Sequence, residues 1–172
     1  MFSELYEKFL SRIQDKTDIK YVDLFFGQCD GEMNEEDPFP FPAAFIEFMT
    51  SSFDSTGNGV QKSAFIFRIH VMDIVMTESN SLTTEGVRTA SHSHLKNVDD
   101  VSRAFNGFNS GTDTDVFFSS CTRTSIEPYN PNGSMIIHVI EFLTNITDKT
   151  MAKTYVPKAT TASVTVNNTA ND

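Results

Sequence analysis

Histidine is the side chain in this sequence with the widest chemical range, and its four copies lie at positions 70, 92, 94 and 138. His92 and His94 are two residues apart, a spacing that only a strand or loop could direct at one metal ion. No carboxylate or cysteine stands nearby at a ligand spacing. His70 and His138 each occupy the centre of an Ile-His-Val triplet. If those two segments pair as strands, the two imidazoles could face each other or lie on one wall of the sheet, but we favour the usual outcome, a hydrogen-bonded or solvent-facing histidine.

We therefore predict no metal site, and we interpret His92 and His94 as polar residues at the entry of a helix. Asp113 and Asp115 form a DxD pair without the glycine and distal glutamate of a calcium loop, so turn chemistry explains them better. Cys121 lies on a predicted strand and has only Arg123 as a basic neighbour that could lower its pKa. The sequence contains no GxSxG, HExxH or glycine-rich phosphate loop. These absences predict a protein that is not an enzyme and needs no cofactor.

Acidic residues are concentrated near the start of the chain, which carries a net charge of −10 over 172 residues. An acidic protein is poorly suited to grip nucleic acid, because phosphate contacts need lysine and arginine. A negative wall could still let nucleic acid slide past without sticking. The simpler interpretation of the densest acidic cluster is a solvated loop. The solvated loop and the negative wall both remain open interpretations. Its five carboxylates are Asp30, Glu32, Glu35, Glu36 and Asp37.

The elements that must position these side chains follow from hydrophobic periodicity. Apolar residues at helical spacing predict an amphipathic helix over 2–16, with Ser3 as its N-cap. Strands are predicted at 21–26, 43–49 and 61–76, and Asn58-Gly59 is a strong hairpin signal between the last two. On the longest strand, alternation places Arg68 and His70 on one face as its only strongly polar interruptions.

The second half of the chain predicts one more helix and two more strands. Helical spacing from Leu95 to Phe108 favours a helix over 93–106, after a polar connection over 77–88. Strands are predicted at 116–126 and 134–146, separated by a turn that contains two prolines. From position 150 the composition becomes rich in Thr, Ala and Asn. Alternation of Ala162, Val164 and Val166 would suit an inter-subunit arm added to a neighbour's sheet edge, and a frayed terminus is the equal alternative.

This order of elements predicts an α+β fold: a single antiparallel-dominated sheet with two helices packed on one face, plus an extended C-terminal arm. We divide the chain into an α+β ring-forming domain, 1–149, and an extended or flexible tail, 150–172. No segment reaches the apolar length of a membrane span, and no signal peptide opens the chain, so we expect a cytoplasmic location and no membrane partner. The sheet would keep an uncovered face and exposed edges, with no strong charge across 64–72 to block association. That favours a subunit that assembles with copies of itself.

Four segments together resemble small neck and tail-completion proteins (tail terminators) of tailed bacteriophages, above all those of Bacteroides-type phages. The segments are YVDLFFGQ (21–28), FPAAFIEF (41–48), GVQ (59–61) and FRIHV (67–71), with the acidic loop between the first two. Further along, Arg123–Ser125 and Ile137–Phe142 fall where these relatives have an Arg/Ser/Thr-rich strand and a final "I-x-x-F" strand. The resemblance covers roughly residues 1–146. The relatives often carry a tryptophan after the second segment, whereas this chain has Phe53 there, and its polar tail also departs from their pattern.

The resemblance implies an α/β subunit of a homo-oligomeric ring, often a hexamer with a dodecamer as the alternative, at the phage head–tail junction or tail end. Its partners would be copies of itself and the neighbouring neck, connector and tail proteins, and DNA would only pass through. The location would be the virion, assembled in the host bacterial cytoplasm. No catalytic residues come with this family. The acidic loop would then face the channel or a partner ring. A virion assembly chaperone or another protein-binding module is the alternative function.

Overall fold

The computed structural model describes residues 1–28, 39–49, 51–74, 82–111, 115–129 and 135–152. Within these ranges the chain forms one mixed sheet of seven strands and a helical layer. This is the α+β class that the sequence predicted. The elements in chain order are α1 (Phe2–Lys16), β1 (Tyr21–Leu24), β2 (Ala43–Phe48), β3 (Asp54–Gly57), β4 (Val60–Ile74), α2 (Glu85–Ser91), α3 (Ser93–Phe105), β5 (Val116–Phe118), β6 (Thr122–Tyr129) and β7 (Met135–Asp148).

Helix α1 has the predicted bounds, because its apolar residues recur every four positions. Leu5, Phe9 and Ile13 are buried against the sheet, and they form the stripe that an amphipathic helix needs. The predicted N-cap is wrong: Met1 holds that position without a side-chain hydrogen bond, and Ser3 lies inside the first turn. The helix ends at Thr17, whose hydroxyl donates a hydrogen bond of 2.8 Å to the Ile13 carbonyl.

The centre of the sheet is the antiparallel pair β4 and β7, which stay in register over 14 residues of β4, from Gln61 to Ile74. Strand β2 lies on the other side of β4, and β1 pairs parallel with β2 at one edge. Strands β5 and β6 both pair with β7 at the opposite edge. All described pairs other than β1–β2 are antiparallel, which agrees with the predicted antiparallel-dominated sheet.

One predicted strand is divided in the structure, and the predicted hairpin turn joins a different pair of strands. The Asn58-Gly59 turn does form, with positive φ at both residues, but it joins the short strand β3 to β4. β2 still pairs antiparallel with β4, as predicted, and β3 continues beside β4 further along. The predicted strand 116–126 is split into β5 and β6. Strand β6 runs on to Tyr129 through Pro128, where we predicted a turn, because an edge strand tolerates proline when its free side faces solvent.

The helical layer contains one element that the sequence analysis missed. Helix α2 occupies part of the segment that we predicted to be a polar connection, and it runs almost directly into α3. The predicted buried face of α3 is also partly wrong, since Leu95 is 50% exposed and His94 is buried instead. The face of α3 that meets the sheet is formed by buried residues three or four positions apart: His94, Val98, Val101 and Phe105.

The sheet separates two apolar clusters. The larger one contains the inward side chains of α1 and α3 and the alternate residues of β4 and β7, including Phe9, Phe67 and Phe142. The smaller one lies on the opposite face and is formed around Phe45 and Met72, with Phe25, Phe39 and Phe41 packed against it. The two long helices thus cover one face, as predicted, whereas the smaller cluster covers only one end of the other face. None of the helices in the described ranges has the length and apolar character to span a membrane.

Candidate functional site

A row of polar side chains crosses the sheet on the face that the helices do not cover. Strand pairing aligns Glu47 of β2 with Arg68 of β4, Arg68 with Glu141 of β7, and Glu141 with Ser125 of β6. Directly paired residues of antiparallel strands share a face, so the four side chains form one line across four strands. We call this line, together with His70 and Thr124, the polar row.

The polar row is held by short contacts. Arg68 donates from both Nε and Nη2 to the same carboxylate oxygen, Glu141 Oε2, at 3.0 Å each, which makes a charge-assisted ion pair. The Thr124 hydroxyl donates to the other carboxylate oxygen of Glu141 at 2.9 Å. At the β2 side, His70 Nε2 lies 2.9 Å from Glu47 Oε2, and its ring stacks on Phe25 with 4.1 Å between centroids. These contacts fix the rotamers of the row, so its charges present a constant pattern to solvent.

Next to the polar row lies an exposed apolar pair. Ile66 and Leu143 are directly opposite each other on the same face and are 37% and 38% exposed. A β-branched residue beside a leucine, exposed at the centre of a sheet and bordered by charge, resembles the apolar core and polar rim of a protein interface. The sequence-based expectation is that no strong charge across 64–72 blocks association. That is wrong, because the Arg68–Glu141 ion pair occupies the middle of this face and limits non-specific association.

The strand register gives the positions of the two histidines that occupy the centres of the Ile-His-Val triplets. His70 is aligned with Val139, and His138 is aligned with Val71. Since aligned residues share a face, His70 lies on the open face and His138 on the helix-covered face. The two imidazoles therefore neither face each other nor share a wall, because the two triplets pair one residue out of the alignment that would bring them together. Each ring instead has a hydrogen-bonding partner, as we favoured.

His138 instead meets His94 of α3. His94 Nε2 and His138 Nδ1 are 2.7 Å apart, which requires one of the two nitrogens to carry the shared hydrogen. The other ring nitrogen of His94 is buried and has no hydrogen-bond partner in the described part of the chain. Burial, with a smaller contribution from His138, lowers the pKa of His94 from 6.5 to about 4. Burial also lowers the pKa of His138. Both rings are therefore neutral at pH 7.

His92 and His94 point in different directions, as residues two apart on a helix must. His92 is exposed at the N-cap position of α3, which agrees with the predicted helix entry. His94 is a core residue, which the sequence did not indicate. Across the described residues, no group of three or more His, Cys, Asp or Glu side chains converges in a way that could hold a metal ion.

Cys121 lies in the short connection between β5 and β6, not on a strand as predicted. It is buried, and burial raises the pKa of its thiol to about 12, a shift that a hydrogen bond with Thr144 opposes. We expect the folded Cys29→Ser variant to resist thiol labelling at pH 8, because its thiolate population is on the order of 1,000-fold below that of an unperturbed cysteine. Reaction with a chromogenic disulfide, with and without urea, measures this. Rapid labelling of the folded protein would contradict the burial of Cys121.

Several predicted site residues lie outside the described residues. These are the whole acidic loop, with Asp30, Glu32, Glu35, Glu36 and Asp37, the arm residues Ala162, Val164 and Val166, and Asp113 of the DxD pair. Asp115 is described, and its carbonyl accepts a hydrogen bond of 2.8 Å from the Lys149 backbone N–H, which is a connection between strands.

The fold and the polar row together define a single-sheet α+β protein with helices on one face and a partly open second face. No protein-family model matches the chain, and no curated protein matches its sequence.

Proposed function

We propose that this protein is a structural subunit of a phage virion that forms a homo-oligomeric ring at the head–tail junction or tail end. Its role there is that of a tail terminator or tail completion protein, and the ring surrounds a channel for DNA. The resemblance of residues 1–146 suggests this role. The observation in the structure that most supports self-assembly is the half-covered sheet face with Ile66 and Leu143 at its centre.

The geometry of the open face favours a specific contact over non-specific hydrophobic association. Side chains from β4 and β7 supply the apolar pair, and the fixed charges of Arg68 and Glu141 border it. A partner that covers Ile66 and Leu143 must also complement this polar row, which selects one orientation. A closed ring needs such a fixed rotation between neighbours, and the rotation must close, because one that does not close produces an open helical filament.

The edges of the sheet support the open face as the contact surface. Strand β1 has only four residues, and β6 contains Pro128 and a register shift between Arg123 and Ser125. Short strands, prolines and bulges all discourage edge-to-edge pairing. The overall charge supports the channel role, since a net charge of −10 disfavours capture of the DNA that passes through.

Replacement of Leu143 by aspartate tests the proposed interface. We expect the wild-type chain to form a ring at micromolar concentration and Leu143→Asp to remain monomeric, because the new carboxylate lies beside Glu141 in the buried contact. Light scattering coupled to size exclusion gives the mass, and electron microscopy shows the ring. Leu95→Asp is the matched control: Leu95 is also half-exposed but lies on the outer side of α3.

The control variant should assemble as the wild type does. A wild-type chain that stays monomeric up to millimolar concentration and is absent from phage particles would refute the ring proposal. A stable complex with a different soluble protein, together with absence from particles, would support the chaperone alternative.

A further inference from the structure

A polar cleft of about 410 Å³ lies where the second half of α3 meets the edge strand β6. It is lined by Asp99, Ser102, Arg103, Asn106 and Arg123. Arg123 is aligned with Phe142 of the larger apolar cluster, which places its side chain on the helix-covered face and directs it toward α3. The cleft is therefore formed by side chains of α3 and β6 where they meet. It lies on the opposite side of the sheet from the polar row.

Three groups in this cleft have unused hydrogen-bonding capacity. Within the described part of the chain, Arg123 makes no ion pair or hydrogen bond, and neither does the Asn106 side chain. Ser102 is only 4% exposed, and its buried hydroxyl has no hydrogen-bond partner among the described residues. A buried hydroxyl without a partner is costly, and an acceptor that enters the cleft would remove that cost after a small side-chain rotation.

The fourth donor, Arg103, is only loosely held. Its Nη1 lies 3.2 Å from Asp100 Oδ1, and its Nη2 lies 4.0 Å from Asp99 Oδ2, while its side chain is 74% exposed. An exposed pair at these distances is weak, so Arg103 can contribute a second guanidinium to a ligand in the cleft. Asp99 limits the positive charge of the cleft.

We propose that this cleft binds an aspartate or glutamate side chain of a second copy of this protein. A carboxylate carries one negative charge and two coplanar acceptor oxygens, which match the fork of a guanidinium. The chain has 23 acidic and 13 basic residues, so copies repel one another unless a contact pairs an acid with a base. Such a contact can form where Arg123, the Ser102 hydroxyl and the Asn106 amide all have unused hydrogen-bonding capacity.

The alternative occupant with the same kind of chemistry is a DNA phosphate. Asp99 argues against it, because a carboxylate in the cleft repels the surrounding phosphates of a polyanion. The cleft also opens beside the C-terminal end of α3, where the helix dipole disfavours a dense negative charge. A single carboxylate tolerates both features better than a phosphate backbone does.

This inference rests on the proposed ring, and it adds the second surface that a ring requires. A heterologous contact joins two different patches, one from each neighbour. The open face and the α3–β6 cleft lie on opposite sides of the sheet. The cleft could therefore bind a neighbour while the open face binds another.

The test compares Arg123→Glu with Arg88→Glu, which makes the same charge change on α2, away from both surfaces. We expect Arg123→Glu to raise the dissociation constant of the ring by roughly 10- to 100-fold, and Arg88→Glu to change it by less than about threefold. Arg123→Lys should give an intermediate loss, because it keeps the charge without the fork. Light scattering over a concentration series, at low and high salt, measures all four proteins, and thermal unfolding confirms that the exposed substitutions leave the fold intact.

Several results would overturn the inference. If Arg123→Glu assembles as tightly as the wild type, the cleft is not part of the contact, although the ring itself still stands. If the variant assembles normally but loses affinity for a duplex DNA oligonucleotide in a polarisation assay, the occupant is a phosphate. A wild-type chain that never assembles overturns both the ring and its cleft contact.

Discussion

Acidification from pH 7.5 to 4.5 should remove on the order of 2 kcal/mol from the free energy of unfolding through His94 alone. The reason is the buried position of its ring, which meets His138 at one nitrogen and has no described partner at the other. Protonation at the first nitrogen opposes the contact with His138, and protonation at the second places a buried charge without an acceptor. The folded protein therefore resists a proton that the unfolded chain accepts readily.

The direction of the effect follows from the two pKa values. Burial, and secondarily His138, lower the folded pKa of His94 to about 4 from the ordinary 6.5. Between these values the unfolded state binds more protons than the folded state, so stability falls as pH falls. The contribution is fully present above pH 6.5 and is lost as the pH drops toward 4. His138 adds to the loss in the same direction, because burial lowers its pKa too.

Urea unfolding of the wild type and three variants at several pH values measures this effect. His94→Leu should flatten the pH dependence between 6.5 and 4.5, because an apolar side chain in the same place carries no proton. His138→Gln should keep most of the dependence, because the main cause is the burial of His94. His92→Gln is the matched control on the same helix, since His92 is exposed. Carboxylates that titrate in this range contribute equally to the wild type and the variants. Their contribution therefore cancels when the stability curve of a variant is subtracted from that of the wild type.

Equal pH dependence in the wild type and His94→Leu would show that this ring is not buried against His138. A dependence in His92→Gln that is as flat as the one expected for His94→Leu would contradict the assignment of the effect to the α3–β7 contact.

The sequence predicted helices and strands well where a local repeat of apolar residues determined them. It predicted poorly the features that depend on which strands pair with each other. A strict four-residue repeat fixed α1, and alternation correctly placed Arg68 and His70 together on one face of β4. The partners of these two side chains, Glu47 and Glu141, come from strand register. Register depends on which strands become neighbours, and no local pattern in this chain carries that information.

The misassigned face of α3 has a related cause. Leu95 is more apolar than His94, so periodicity weighted by hydrophobicity selects the wrong neighbour. In the fold, Val98, Val101 and Phe105 determine the angle of the buried face, and His94 lies on it. A buried histidine is acceptable there because His138 of β7 supplies a hydrogen-bonding nitrogen. The sequence contained both residues but not the contact between them.

Replacement of Phe9 by alanine should cost about 3–5 kcal/mol of the free energy of unfolding. Phe9 is fully buried where α1 meets the sheet. Its ring lies 4.5 Å from Phe67 of β4, 5.2 Å from Phe105 of α3 and 5.5 Å from Phe118 of β5, measured between centroids. Removal of this ring opens a cavity among three elements whose rigid aromatic neighbours cannot collapse to fill it.

A loss of that size is a large part of the 5–15 kcal/mol that an ordinary domain has, so Phe9→Ala should be marginally folded at 37 °C. Thermal and urea unfolding of wild type, Phe9→Leu, Phe9→Ala and Phe26→Ala measure it. Phe26 is 78% exposed, so its alanine variant should stay within about 0.5 kcal/mol of wild type. The free energy of unfolding of Phe9→Leu should lie between those of wild type and Phe9→Ala, since leucine keeps part of the contact with the neighbouring rings. If Phe9→Ala is no less stable than Phe26→Ala, α1 does not pack on the sheet through this ring, and the helix-covered face assigned here is wrong.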